Sequence, residues 1–109
     1  MAELQLTAGQ LKDLRHILAT HLPEDAKVSV FGSRATGLGL KPHSDLDLLI
    51  NSPRKLALLV MADLREALAE SSLPFSVDLL LAEDAEPRFL ARIQGKGMVD
   101  LSLSTAERT

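Results

Sequence analysis

The apolar positions change period along the chain, and the changes mark its elements. Between Thr7 and Thr20, Leu11, Leu14, Ile17 and Leu18 recur at helical spacing, which puts them on one face. Thr7 and Gln10 stand at capping-box spacing, where two side chains answer free N–H groups of a first turn. Leu22-Pro23-Glu24-Asp25 ends that helix, because the residue before a proline is pushed out of helical geometry. Val28-Ser29-Val30-Phe31 is a strand that halts at Gly32-Ser33. A short helical turn and a turn-rich stretch with Gly37, Gly39 and Pro42 follow, and Ser44-Asp45-Leu46-Asp47 opens a second apolar run ending at Ile50. After a turn at Asn51-Ser52-Pro53, Leu56, Val60, Leu64, Ala67 and Leu68 form the stripe of a second long helix, from Arg54 to Ser71 or Ser72, with Arg65, Glu66 and Glu70 outward. Phe75 to Leu81 is a third strand. Pro87 suits the first turn of a short helix, whose apolar face is Phe89, Leu90 and Ile93 and whose end is Gly95-Lys96-Gly97. Met98 to Leu101 is a last strand or a segment that docks on a partner, and Leu101-Ser102-Leu103 with the polar end that follows frays.

This order predicts an α/β (α+β) fold: a small, mixed, twisted sheet of three to four strands with helices packed on it. With no internal repeat or linker, residues 1–109 read as a single domain.

Three acids break the apolar pattern. Asp45 and Asp47 lie on one face of the second strand, because side chains alternate with a period of two. Their Cα atoms sit roughly 6.5–7 Å apart at about 3.3 Å of rise per residue. Two carboxylates that close repel by about 2 kcal/mol at an effective dielectric near 20, and aspartate is depleted in strands. A divalent cation turns the liability into a site, because hard cations take carboxylate and phosphate oxygens together. The plainer alternative is a solvated turn that Ser44 and Asp45 cap. Asp78 stands mid-strand among Val77, Leu79 and Leu80, where a carboxylate is costly unless paired, hydrogen-bonded or bound to metal; an arginine partner would be the structural explanation. Gly32 lets the backbone approach a ligand closely, the N–H groups of such a turn form an anion site, and Ser33 and Arg34 add a hydroxyl and a fixed charge.

Gly32-Ser33-Arg34-Ala35-x-Gly37 followed by Ser44-Asp45-Leu46-Asp47-Leu48 resembles the signature of the minimal nucleotidyltransferases of the polymerase-β-like superfamily. The likeness spans nearly the whole chain. One departure is the loop from Gly37 to Asp45, a residue longer than the commonest family spacing, with Leu38-Gly39-Leu40-Lys41 where a more polar, basic stretch is usual. The resemblance implies magnesium-dependent transfer of AMP from ATP to a hydroxyl, with Asp45, Asp47 and Asp78 as catalytic acids holding metal, two ions in all. Asp78 would also serve as general base or orienting group, and Gly32, Ser33 and Arg34 would bind the nucleotide. It also implies a partner, a separately encoded all-helical HEPN-type toxin, in a hetero-oligomer in which this chain is the antitoxin and adenylylates the toxin. Two other readings stand beside it: an antitoxin that acts by binding alone, and a nucleotidyltransferase for a small hydroxylated compound such as an antibiotic.

Composition narrows the field further. The 46% hydrophobic content includes only three Phe and no Trp or Tyr, so the core is aliphatic and few rings are left to stack on bases. The balance of 12 basic against 15 acidic residues gives a net charge of −3, which argues against nucleic acid as the main partner. The absence of cysteine excludes disulfides, thiolate nucleophiles and cysteine-based zinc sites. No signal peptide or apolar stretch of about 18 residues is present, so the chain reads as soluble and cytoplasmic, with no membrane partner. His16 and His21 read as structural.

Overall fold

In the computed structural model, which describes residues 4–101 and 103, each change of period becomes an element. The first helix, α1, spans Ala8–His21 behind its cap Thr7. The Thr7 hydroxyl accepts from the Gln10 N–H at 3.1 Å, and the Gln10 side chain accepts from the Thr7 N–H at 3.0 Å, so the capping box forms as its spacing predicts. His21 is structural, its Nδ1 lying 2.9 Å from the Ile17 carbonyl. Then come β1 (Lys27–Phe31), the single turn α2 (Ser33–Thr36), β2 (Leu46–Asn51), α3 (Leu58–Ala69), β3 (Val77–Leu81), a 3₁₀ turn (Ala82–Asp84), α4 (Pro87–Lys96) and β4 (Val99–Leu101). Of the end expected to fray, Leu101 is instead paired with Val28 and buried as the last residue of β4, and the polar tail lies outside the described residues.

Several boundaries differ from the sequence reading: β2 begins at Leu46, which leaves Asp45 just outside the strand, and α3 ends at Ala69, short of Ser71 or Ser72. α3 begins at Leu58 and not at Arg54, because Ser52 Oγ accepts from the Arg54 N–H at 3.2 Å and offers the backbone a turn in place of a helix. The Arg54 side chain is also drawn away, to Asp25 at 3.1 Å. β3 begins at Val77, leaving Phe75 as a buried side chain outside the ladder.

The four strands form one mixed sheet in the order β3-β2-β1-β4. β1 runs antiparallel to both β2 and β4, while β2 and β3 are parallel and joined across α3. Alternation gives the sheet two different faces. Val28 and Val30 of β1, and Leu46, Leu48 and Ile50 of β2, bury against Leu14 and Leu18 of α1 and Met61, Leu64 and Leu68 of α3 in one aliphatic core. The intervening residues Ser29, Phe31, Asp47, Leu49 and Asp78 fall on the opposite face. There α4 gives partial cover, with Phe89 meeting Phe31 edge to face at 5.8 Å between ring centroids and Ile93 buried. Among the described residues no helix is long and apolar enough to cross a membrane.

Candidate active site

The sheet register sets the site. Phe31, the last residue of β1, lies opposite Asp47, and Asp47 lies beside Asp78 on the parallel neighbour. The two acids that the sequence keeps 31 positions apart are therefore direct cross-strand neighbours on the partly open face. Asp45 immediately precedes β2 and is exposed, Asp47 is half-buried, and Asp78 is exposed. Another aspartate of this sheet, Asp100 on β4, is engaged differently: it accepts from the Ser29 hydroxyl at 2.7 Å, two strands away from Asp47.

Burial holds the Asp47 carboxyl above the usual aspartate range, and the charges of Asp78 and then Asp45 push it further the same way. All three causes disfavour the carboxylate, and a bound cation would reverse the last two. The donor set fits magnesium, which is commonly bound through one or two carboxylates together with substrate phosphates. Among the described residues no three acidic or histidine side chains close into a cage of their own. The acids instead line an open face on which an ion's remaining ligands would come from substrate and water.

Gly32 joins the acids to the turn that opens α2. It precedes α2 with φ 77° and ψ −157°, a conformation that is essentially glycine's alone. A Cβ added there would run into Asp47 Oδ2, so the glycine also makes room for the carboxylate. The N–H groups of Ser33 and Arg34 open α2 and have no intrahelical acceptor, whereas those of Ala35 and Thr36 return to the Gly32 carbonyl at 3.0 Å each. Ser33 is half-buried at this opening.

Arg34 is placed differently from the sequence expectation of a cation beside the phosphates. The side chain is buried at 7% exposure and lies 4.0 Å from the centre of the Phe75 ring. Its Nε donates to the Ser44 carbonyl at 3.0 Å, and its terminal nitrogens donate to the carbonyls of Gln5 at 3.1 Å and Pro42 at 3.2 Å. The guanidinium thus ties down the loop that delivers Asp45. No local signal marks this role, because its partners are scattered along the chain. Arg34→Lys keeps the charge but loses the planar fork and leaves part-buried carbonyls without their donor. It should cost about 2–4 kcal/mol of stability, read from a shifted midpoint in urea unfolding.

Comparison with known proteins adds to this geometry. Residues 11–98 match the nucleotidyltransferase domain family. Over 79 residues the chain is 43% identical to a Haemophilus influenzae protein named "Probable protein adenylyltransferase MntA", covering 72% of this chain and 68% of that one. The fold is shared with a chain in a crystal structure of a toxin–antitoxin with AMP-PNP, at a TM-score of 0.66 and 23% identity over 84% of this chain and 71% of the other. It is shared likewise with a mutant MntA–HpeT toxin–antitoxin, at a TM-score of 0.65 and 21% identity over the same shares. The chain belongs to the nucleotidyltransferase domain family, and it is an enzyme of that class.

Proposed function

We propose that this enzyme uses Mg²⁺ to transfer AMP from ATP to a hydroxyl on a separately encoded, all-helical HEPN-type toxin, and that it thereby acts as an antitoxin. The observation that carries the reading is the register of Asp47 beside Asp78, with Asp45 two residues away and Gly32 against the Asp47 carboxylate. The similarity to a protein named as an adenylyltransferase, and the fold shared with toxin–antitoxin chains, support the choice of nucleotide and of partner.

Asp45, Asp47 and Asp78 would hold the magnesium, two ions in all, which when bound supplies charge neutralisation for the triphosphate and for the attacking and leaving oxygens. Ser33 and the free N–H groups at the start of α2 hold the β- and γ-phosphates. Asp78 orients the acceptor hydroxyl and takes its proton. A bond forms from the acceptor oxygen to the α-phosphorus while the bond from that phosphorus to the bridging oxygen breaks, and its electron pair leaves with pyrophosphate.

The test is an intact-mass spectrum of the candidate toxin after incubation with this chain, ATP and Mg²⁺. A gain of one or more AMP units, absent with the Asp47→Asn chain, is the expected result. A stable complex without mass gain would replace transfer by an antitoxin that works through binding. Neither gain nor complex would move the acceptor to a small hydroxylated compound.

A further inference from the structure

The order of the strands lays the site out as a line. Asp78 on β3, Asp47 on β2 and the Phe31–Gly32 end of β1 stand side by side, and α4 covers the face beyond Asp47 through the contact of Phe89 with Phe31. Where this line meets the helix there is a cavity of about 410 Å³, whose walls include Phe31, Gly32, Leu38, Phe89, Arg92 and Lys96. Gly32 is common to the cavity and to the phosphate-binding turn, so a triphosphate whose α-phosphate lies over the acids and crosses Gly32 enters the cavity with its far end.

That far end needs cations, and the one that the sequence places nearby cannot supply them. Arg34 donates to three backbone carbonyls. Arg92 and Lys96, four residues apart on one face of α4, both line the cavity, and neither has an ion-pair partner among the described residues. The Arg92 guanidinium is set over the Phe89 ring at 6.0 Å. Phe31 and Phe89 make part of the cavity wall apolar, and a less polar surrounding strengthens the attraction of a cation for phosphate.

We propose that Arg92 and Lys96 bind the β- and γ-phosphates of the nucleotide, and hold pyrophosphate as it leaves, from the α4 side of the site. The assignment rests on the nucleotidyl-transfer reading above and deepens it. It gives α4 a part in substrate binding as well as in packing.

The experiment is a titration of the full-length chain with inorganic tripolyphosphate, with Mg²⁺–ATP and with AMP. It compares wild type, the double variant Arg92→Gln/Lys96→Gln, and Lys55→Gln as an exposed cation outside the cavity. Arg92 and Lys96 are both exposed, and a thermal melt checks that the variants fold. The double variant should bind tripolyphosphate and ATP about 10- to 100-fold more weakly, the usual worth of lost charge-assisted bonds. Its AMP binding, and all three affinities of Lys55→Gln, should stay as in wild type. Unchanged tripolyphosphate binding in the double variant, or an equal loss for AMP, overturns the assignment while leaving the nucleotidyltransferase reading in place. A wild-type chain that binds neither tripolyphosphate nor ATP overturns both.

Discussion

Asp47→Asn should abolish nucleotidyl transfer, by a factor of about a thousand or more, and should make the metal-free protein firmer. The two effects have one origin. Asp47 is the half-buried member of the acidic group, and on the proposed mechanism removing its charge would withdraw a ligand for the ion that neutralises the transferred phosphoryl group. A loss of about 4 kcal/mol of transition-state stabilisation corresponds to that factor. In the folded, metal-free protein the same charge is held against desolvation and against Asp78 and Asp45, so its pKa lies above the unfolded value. The folded state then binds more protons than the unfolded one between the ordinary aspartate pKa, about 4, and the raised folded value. Stability therefore falls as pH rises through that window, and above it the full penalty remains. Asparagine removes the penalty, so Asp47→Asn should raise the melting temperature at neutral pH and change it little near pH 3. Magnesium should raise the melting temperature of the wild type and leave that of the variant nearly unmoved. Melts at both pH values, with and without magnesium, beside a single-turnover transfer assay, check all four expectations. A variant that transfers AMP at the wild-type rate would remove Asp47 from the site.

How much of this was legible depended on how local each cause is. The capping box of Thr7 and Gln10 is a spacing of three residues, and it forms. The stripe of α1 is written in its own periodicity, and Leu14 and Leu18 are fully buried. Asp78 stands out in sequence as a charge among apolar residues, and although it is exposed near the start of β3 and so escapes the expected cost of burial, the adjacency of its strand to that of Asp47 is realised in register. Arg34 is the opposite case. Its sequence context, beside Gly32-Ser33, suggests a phosphate ligand, whereas its recorded bonds reach back 29 residues to Gln5 and forward to Pro42 and Ser44. Periodicity also says which face a residue takes but not which strand stands next to it. The docking of α4 beside β1, with Arg92 and Lys96 along the same cavity as Gly32, follows from the tertiary fold alone. α3 starts later than its sequence pattern suggests for a related reason: Arg54 has helical neighbours in sequence but finds its partners in Ser52 and Asp25.

Gly32→Ala should be nearly as damaging to transfer as the loss of Asp47, and for a different physical reason. Two demands meet at Gly32. Its φ of 77° with ψ −157° is a region that costs a residue with a Cβ about 1–3 kcal/mol, and that Cβ would collide with Asp47 Oδ2. Either the carboxylate turns out of its place or β1 and α2 shift to accommodate it, and both disturb the alignment of the acid with the turn proposed to bind phosphate. A misplacement of about 1 Å is enough to cost about a hundredfold in rate. Gly39 separates the two demands. It has a comparable φ of 70°, but a Cβ there would have nothing within 4 Å, so Gly39→Ala should carry backbone strain without the collision. Both variants should therefore lose stability in urea by amounts within the strain range, with Gly32→Ala the worse of the two. Under conditions where both are folded, Gly32→Ala alone should lose transfer, by about a hundredfold or more, while Gly39→Ala keeps most of it. Equal activities in the two folded variants would mean that the close approach of Gly32 to Asp47 does not set the geometry of the reaction, and would leave Gly32 only its role in the turn.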